Sequence, residues 1–421
     1  MTPDELTRLR PQLVEFTEQM LQGAVRRSDQ RTKGQLYVRG LLTDGARKSM
    51  QPMAARLGVD HQGLQQFISS STWDYEAVRR NVARWAVDVV DPAAYVVDDT
   101  GFPKDGVASP CVARQYSGTL GKTGNCQIGV SVQMVTDTAS LAANWRLFCP
   151  ASWDDTTVTD AAKAAAVRVR RADAGIPEQV RHREKWRLAL DAIDQMISDW
   201  GLPELPVVAD SGYGDCTAFR LELAERGLSY IVEVEGTASA YPHDATPRLP
   251  AGGRGRAAYP DKPTNLRALA IAAGQQALRT ITWRTGTKPT ASNPSAAMRS
   301  RFLALRVRPA NRDIPRTVAG TLPEQWLIVQ WLIVQWPAGA NEPTKYWLSN
   351  MDTRTPLKTL VRLAKIRWRV EHDYRELKTG LGIDHFEGRS YTGWHRHVTL
   401  TVLAQAFCTL LRLDPKAAAP A

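Results

Sequence analysis

The sequence is poor in cysteine, in acidic charge and in long apolar runs, and each shortage excludes a class of protein. The 421 residues include five cysteines, with no Cys-x-x-Cys pair. This argues against a disulfide scaffold or structural zinc and favours a reducing, cytoplasmic compartment. The longest apolar stretch, residues 326–336, is interrupted by Gln330 and Gln335 and is shorter than the roughly 20 residues of a membrane-spanning helix. The first ten residues contain acids and no apolar core, so no secretory signal is expected.

Acidic residues are outnumbered by basic ones. Lys and Arg total 54 and Asp and Glu total 43, which leaves a net charge of +11. Such an excess predicts a polyanionic partner, and the 13 tryptophans add flat aromatic surface of the kind that stacks on bases. We therefore expect a nucleic-acid-binding protein. The one close histidine pair, His395 and His397, is expected at the surface or at a helix cap.

Hydrophobic periodicity divides the chain into five parts. Residues 1–90 predict helices, which fit either a solvated bundle or a DNA-binding domain. Residues 91–234 predict three meandering strands and then strand, helix and strand, the order of an RNase H-like sheet. Residues 235–348 predict an inserted β-rich subdomain, residues 349–413 a return to the helical part of the core, and residues 414–421 a disordered tail. The expected class is α/β, with a mixed sheet flanked by helices.

Three carboxylates lie at the ends of predicted elements or on the late helix. Asp99 ends the first strand, Asp210 ends the fourth, and Glu371 lies on the helix that follows the insert. A fold that gathered them would make an oxygen-only site, which suits Mg²⁺ or Mn²⁺. Two such ions can activate an attacking oxygen and stabilise a leaving one. A single acid at a strand end or helix cap is more often a surface residue, so only the joint arrangement predicts a site.

The helix around Glu371 carries cations beside this acid. At 100° per residue, Arg367, Glu371, Tyr374 and Lys378 fall within about 60° of one another on one face, and Trp368 lies next to Arg367. Such a face fits an acid that binds metal while its neighbours hold phosphates. A solvated helix with i,i+4 ion pairs is the alternative interpretation.

Residues 367–380, Arg-Trp-Arg-Val-Glu-His-Asp-Tyr-Arg-Glu-Leu-Lys-Thr-Gly, resemble the Tyr-Arg-Glu-Lys signature of bacterial DDE-type insertion-sequence transposases. Residues 98–103, Asp-Asp-Thr-Gly-Phe-Pro, resemble the first catalytic block of this family, and residues 208–214, Val-Ala-Asp-Ser-Gly-Tyr-Gly, resemble the second. The signature places a tyrosine where Ala364 stands, which puts one DNA contact in doubt. Members have a helical N-terminal domain and an RNase H-like core with a β-rich insertion.

The resemblance implies that Asp99, Asp210 and Glu371 are the catalytic, metal-binding acids. It implies Mg²⁺ as cofactor, with Mn²⁺ able to substitute and two ions bound, and Arg367 and Lys378 as contacts to DNA phosphates. Tyr374 would replace the missing tyrosine only in part. The choice between Asp98 and Asp99 stays open, because neighbouring strand residues face opposite ways.

Further DNA contacts are predicted outside the signature. Lys104, Arg114 and Lys122 belong to a basic hairpin region after the first strand, where an ordinary surface turn is the alternative. The sequence Gly-Lys-Thr at 121–123 is no nucleotide-binding loop, because the pattern needs a glycine where Tyr116 stands. The remaining candidates lie in the insert: Trp283, as a base-stacking platform, and Lys288.

A pentapeptide, Trp-Leu-Ile-Val-Gln, occurs at 326–330 and again at 331–335. Five is an odd number, so the second copy switches strand faces unless a bulge absorbs one residue. We interpret the repeat as a tandem duplication that lengthens a strand.

Together these features predict an insertion-sequence transposase that binds terminal inverted repeats of double-stranded DNA and catalyses cleavage and strand transfer. It would act as a homodimer or higher oligomer, without membrane or nucleotide cofactor, near the bacterial nucleoid. Two alternatives remain: an RNase H-like nuclease without strand transfer, and a DNA-binding relative that has lost catalysis.

Overall fold

The computed structural model describes residues 3–250, 255–286, 289–291, 293–331 and 343–414. The chain divides into two compact units. Unit 1 comprises Met1–Ala93, Val97–Pro203 and Arg369–Ala421, and unit 2 comprises Ala94–Val96 and Glu204–Trp368. Among the described residues, no helix is both long enough and apolar enough to cross a membrane.

The α-helices of the described residues are α1 (Pro3–Leu21), α2 (Ser28–Leu42), α3 (Met50–Leu57), α4 (His61–Ser69), α5 (Tyr75–Val90), α6 (Ala161–Asp173), α7 (Lys185–Asp194), α8 (Ser211–Gly214), α9 (Thr217–Glu225), α10 (Leu266–Ala272), α11 (Leu357–Lys365), α12 (Trp368–Arg375) and α13 (Tyr391–Leu413). Single π-helical turns follow α7 at Gln195–Asp199 and α12 at Glu376–Gly380.

The strands are β1 (Ala94–Pro103), β2 (Ala113–Ser117), β3 (Lys122–Val135), β4 (Ser140–Leu147), β5 (Val207–Ala209), β6 (Tyr230–Val234), β7 (Ser239–Pro242), β8 (Thr264–Asn265), β9 (Arg279–Thr285), β10 (Ala297–Pro309), β11 (Gln325–Trp331) and β12 (Pro343–Ser349).

In unit 1, two of the N-terminal helices, α4 and α5, follow aspartates that cap them, Asp60 and Asp74. The carboxylate of Asp74 accepts hydrogen bonds from the backbone N–H groups of Glu76 and Ala77, which caps α5. The apolar side of α5, including Val78 and Val82, is buried, and the helix packs on β3 and β4. The helical character predicted for residues 1–90 is confirmed.

The sheet of unit 1 is organised around β3. This long strand pairs antiparallel with β2 through its first residues and with β4 through its last. The N–H of Ala93 donates to Val135 O and that of Lys104 to Asn125 O, so β1 runs antiparallel along β3. Helices α7 and α13 pack against the same strands. The predicted three-strand meander therefore exists as β1, β3 and β4. The first connection of this meander, from β1 to β3, contains β2, which its polar Ala-Arg-Gln-Tyr-Ser sequence left unpredicted.

Unit 2 also combines strands with helices. Its short strand β5 is buried throughout and pairs in parallel with β6, and Tyr95 N–H, near the start of β1, donates to Pro206 O. From β6 the sheet continues antiparallel through β12, β11, β10, β7 and β8, with β9 also pairing with β10. Helices α8 and α11 pack on β6 and α10 on β12. The α/β class with an RNase H-like mixed sheet and flanking helices is confirmed.

The structure bears on two expectations, one about the inserted β-rich subdomain and one about the pentapeptide repeat. The strands of residues 235–348 extend the sheet of unit 2 through the β12–β6 pair, and the predicted domain boundaries stay a prediction. Within β11, the register irregularity falls between Gln330 and Trp331, where the two pentapeptide copies meet. The rest of the second copy, from residue 332, lies outside the described residues.

The expectation of a surface position for His395 and His397 is wrong. Both side chains are buried in α13, at 2% and 0% exposure. His395 stacks on the ring of Tyr75, and His397 shares a 2.8 Å hydrogen bond with the hydroxyl of Tyr37 and one of 3.0 Å with Gly382 O. Burial lowers the pKa of His397 to about 4. Two positions two residues apart cannot both lie on the one buried face of an amphipathic helix, so burial of both was not predicted. Helix α13 is instead buried around nearly its whole circumference, and both histidines face other elements of unit 1.

Candidate active site

The first predicted acid lies within β1, in unit 1: the strand continues beyond Asp99 to Pro103, so the prediction that Asp99 ends the strand is wrong. Asp98 is buried, and its carboxylate accepts a 2.8 Å hydrogen bond from the N–H of Asp99. The side chain of Asp99 is partly exposed, and its Oδ2 lies 2.8 Å from Nζ of Lys185, the first residue of α7. The two aspartates thus have different surroundings, as strand alternation requires. Lys185 carries no motif, so sequence reasoning missed it.

Glycine at 101 has a packing reason within the Asp-Asp-Thr-Gly-Phe-Pro block. A Cβ at this position would collide with the hydroxyl of Ser117 on β2. The close approach holds the β2–β3 hairpin against the end of β1. The hairpin turns at residues 118–121 and places Lys122 and Thr123 at the start of β3. A phosphate-binding loop would instead lead into a helix, which agrees with the rejection of the nucleotide-binding interpretation.

The helix that carries Glu371 docks onto β1 and β3 through two later residues. The Tyr374 hydroxyl lies 2.7 Å from Oγ of Ser131 on β3. Lys378 Nζ donates to Gly101 O at 3.0 Å and to Thr119 Oγ1 at 2.6 Å. Glu371 is exposed and lies one helical turn before Tyr374. These contacts place the Glu371 helix beside β1, near Gly101, within unit 1.

Electrostatics supports this proximity. Burial, together with the nearby carboxylates of Asp98 and Asp99, raises the pKa of Tyr374 well above its usual range. Burial lowers the pKa of Lys378, and the Asp98 carboxylate acts against that change. Both side chains of the helix therefore sense the carboxylates of β1. Tyr374 stays a neutral phenol, which suits a docking contact.

The single helical face predicted for Arg367 through Lys378 is wrong in its geometry. Helix α11 ends at Lys365, and α12 begins at Trp368 after a turn at Ile366 and Arg367. A π-helical turn then includes Lys378, with Leu381 N–H donating to Glu376 O. Periodicity calculated for one straight helix fails because both irregularities change the angle between successive residues.

The second predicted acid lies in unit 2. Asp210 follows β5 directly, and its backbone oxygen accepts the N–H groups of Tyr213 and Gly214 as α8 begins. A side chain at Gly214 would collide with the carbonyl oxygen of Glu233 on β6, so the motif glycine allows α8 to lie against that strand. Oδ2 of Asp210 lies 3.2 Å from a terminal nitrogen of Arg367, with side chains 30% and 22% exposed.

The basic residues predicted to contact DNA differ in their surroundings. Arg114 and Lys122 are exposed on the β2–β3 hairpin. Lys104 is partly buried and donates to Phe386 O at 2.6 Å, which commits its ammonium to unit 1. Lys288 lies outside the described residues.

The tryptophans predicted for DNA contact each lie against a cation within unit 2. Lys365 Nζ lies 4.8 Å from the ring centroid of Trp283, and Arg284 Cζ lies 3.3 Å from that of Trp368. Both rings are partly buried. A base could stack on the cation-bearing face of either ring only by displacing the cation.

Among the described residues, one group of three possible metal ligands lies close together, in unit 1: His372, Asp373 and Glu376 have ligand atoms within 4.8 Å of one another. Arg412 of α13 lies 3.0 Å from Glu376, and Arg369 lies 4.0 Å from Asp373. Burial raises the pKa of Asp373 to about 6. Both acids lie beside an arginine, so we interpret the cluster as part of the contact between α13 and the π-helical turn that follows α12.

An RNase H-like mixed sheet with an aspartate on β1 and another directly after β5 is typical of RNase H-like nucleases. Comparison with known families narrows this class: the model described as DDE superfamily endonuclease matches residues 20–290, well over half of the chain. The chain therefore belongs to the DDE superfamily endonucleases, and the family recognised from the three motifs is confirmed. Enzymes of this family use divalent metal ions.

One curated relative is a probable transposase for insertion sequence element IS701 from Microchaete diplosiphon. It is 36% identical over 96 residues, which are 22% of this chain and 25% of the relative. The match thus spans about a quarter of the relative's length.

Proposed function

We propose that this chain is the transposase of an insertion sequence. It binds terminal inverted repeats of double-stranded DNA and pairs two ends as a homodimer or higher oligomer, at the nucleoid. Water attacks a phosphodiester at the end of the element and releases a 3′-hydroxyl. The oxygen of that hydroxyl then attacks a target phosphorus, a new P–O bond forms, and the target's own 3′-oxygen leaves, so no covalent protein–DNA intermediate is needed. Family membership and the partial match to an IS701 transposase support this proposal.

One observation carries the proposal furthest: the helix of Glu371 is docked beside the carboxylates of β1. Tyr374 and Lys378 hold this helix to β3, to Gly101 and to Thr119 within unit 1. A helix that merely carried solvated ion pairs would need no such docking contacts. The arrangement supports Glu371 as a partner of Asp99, and the family motif adds Asp210.

The proposed metal ligands are Asp99, Asp210 and Glu371. Their donor set fits the metal: all three offer hard carboxylate oxygens, and the two aspartates are partly exposed beside a cationic group. Mg²⁺ or Mn²⁺, with two ions bound, would supply activation of the attacking oxygen and stabilisation of the leaving one. The residues of the chain contribute by orienting these oxygens: strand β1 and the turn into α8 fix the aspartates, and the docked helix fixes Glu371.

The proposed DNA contacts begin with Arg367 and Lys378 on backbone phosphates. Exposed Arg114 and Lys122 extend a basic surface, and helices 1–90 form a DNA-binding domain. Ala364 is 4% exposed, so the signature's tyrosine could not be accommodated there without repacking. The weaker candidates are residues with established protein contacts or outside the described residues: Tyr374, Trp283, Trp368, Lys104 and Lys288.

Cleavage of an end-containing duplex tests the assignment. We expect Asp210→Asn and Glu371→Gln each to lower Mg²⁺-dependent cleavage at least about 10³-fold, because each removes a ligand that positions charge at the reacting phosphate. End binding, measured in Ca²⁺, should be retained. Glu376→Gln is the matched control, since it changes an acid of the adjoining turn that pairs with Arg412.

The products discriminate the alternatives. Joining of the cut end to a second duplex supports the transposase, whereas cleavage without joining indicates a nuclease. Salt-sensitive DNA binding without cleavage in wild-type protein indicates a relative without catalysis. Normal cleavage by either acid variant contradicts the metal-ligand assignment.

A further inference from the structure

Lys185 is the most specific unassigned contact near the proposed chemistry. Its ammonium lies 2.8 Å from Oδ2 of Asp99, with side chains 36% and 24% exposed. It is the first residue of α7, which packs on β3 and β4 and so anchors the lysine stem beside the sheet. No sequence motif includes it.

A lysine on a metal-ligand oxygen competes with the metal. The ammonium carries one positive charge and the divalent ion two, and close approach of both to one carboxylate oxygen is electrostatically unfavourable. A partly exposed ion pair is weak, so the ion can displace the lysine. The flexible four-carbon stem then allows the ammonium to reach another anion nearby.

At a site that cuts DNA, the nearest anion is a backbone phosphate. We propose that Lys185 is an exchange residue: it occupies Asp99 in the metal-free protein and moves to a DNA phosphate when a divalent ion binds Asp99. Metal binding thereby increases the affinity of the protein for DNA. This inference rests on the proposed function, because it requires Asp99 to be a metal ligand.

Unit 2 shows the same chemistry independently. Asp210 Oδ2 lies 3.2 Å from Arg367, again between partly exposed side chains. Arg367 belongs to the family signature and is already proposed as a phosphate contact. The Lys185–Asp99 pair adds a second cation with the same two possible partners, acid or phosphate.

Mn²⁺ binding without DNA tests the first half of the exchange. We expect Lys185→Gln to bind Mn²⁺ about fivefold more tightly than wild type, because the competing ammonium is gone. Lys185→Arg should stay close to wild type. Arg187→Gln is the matched control on α7, since its guanidinium pairs with Glu184 and covers the ring of Trp186. It should leave Mn²⁺ affinity unchanged.

DNA binding tests the second half. In Ca²⁺, Lys185→Gln should weaken binding of an end duplex about three- to tenfold and reduce the slope of log affinity against log salt by about one phosphate contact. In EDTA, the same variant should bind DNA like wild type. Thermal melting confirms that each variant is folded.

Two outcomes overturn the inference: unchanged Mn²⁺ affinity in Lys185→Gln, or equal loss of DNA affinity in Ca²⁺ and EDTA. The variant Asp99→Asn distinguishes a wrong role for Lys185 from a wrong metal site. If Asp99→Asn removes Mn²⁺ binding while Lys185→Gln has no effect, only the role of Lys185 is wrong. If Asp99→Asn binds Mn²⁺ normally, the proposed metal site itself is wrong.

Discussion

Two polar regions of unit 1 show how burial distinguishes charges that stabilise the fold from charges that can exchange partners. Under α13, the guanidinium of Arg79 is 2% exposed and donates to Thr399 Oγ1, to Trp145 O and to both Nδ1 and O of His395. On β1, Asp99 forms a partly exposed ion pair with Lys185.

The comparison teaches that the number and burial of partners decide what a charge can do. Arg79 is surrounded by fixed acceptors, and burial lowers its pKa to about 10. Losing it leaves several polar groups buried without their partner. The pair at β1 can exchange partners at little cost, because water and salt already screen it. Structural charges should therefore control stability, and exchangeable ones should control binding.

The largest effect on stability is expected at Arg79. Arg79→Met should lower the free energy of unfolding by about 3–5 kcal/mol, because it orphans buried acceptors on α13 and β4. Denaturant unfolding measures this change. Arg84→Met on the same helix is the matched control: its single hydrogen bond, to Trp200 O, predicts a loss near 1 kcal/mol. Equal losses in the two variants would contradict the role of burial.

A pH effect of intermediate size is expected from His397. Its pKa is about 4 in the folded chain and about 6.5 when unfolded, so the unfolded chain takes up the extra proton between these values. The stabilisation is present above pH 6.5 and is lost as pH falls toward 4, by at most about 3 kcal/mol. Burial lowers the pKa of His395 in the same direction.

The pKa of Asp373 is raised to about 6, so its titration changes the stability in the opposite direction to that of His397. Comparing wild type with His397→Gln isolates the effect of His397, because Asp373 is present in both proteins. The difference in unfolding free energy between wild type and variant should grow from pH 4.5 to pH 6.5. Parallel curves would show that His397 does not titrate on unfolding.

A small effect on stability is expected at the exchangeable pair. Asp99→Asn should change the free energy of unfolding by less than about 1 kcal/mol, since a partly exposed ion pair contributes little. The same denaturant experiment measures it beside Arg79→Met. A loss as large as that of Arg79→Met would remove the distinction between the two regions.

The smallest effect is expected in unit 2, where deletion of residues 331–335 removes one pentapeptide copy. Regular pairing of β11 with β12 is already interrupted between Gln330 and Trp331, where the second copy begins, so we expect residues 326–330 to stay paired without that copy. Melting temperature and salt-dependent DNA binding should stay near wild type. An insoluble product would show that the second copy is needed for folding.

Local order was readable from the sequence. The β-branched run before Asp99, the short apolar strand before Asp210 and the long apolar helix at the C-terminus all occur where alternation and periodicity placed them. The motif spacing was sufficient to identify the family, because three ordered blocks rarely coincide by chance. Strand β2 was not predicted, because a short polar strand forms only through its pairing with β3.

By itself, then, the sequence determined the element types, the α/β class, the family and the three candidate acids, because these follow from local patterns and motif spacing. Only the tertiary structure decided the burial of His395 and His397, the break before α12 and the partners of Asp99 and Asp210. These depend on contacts between residues far apart in the chain, such as Lys185 with Asp99, 86 positions away. No local periodicity encodes such a contact, because the packing of whole elements creates it.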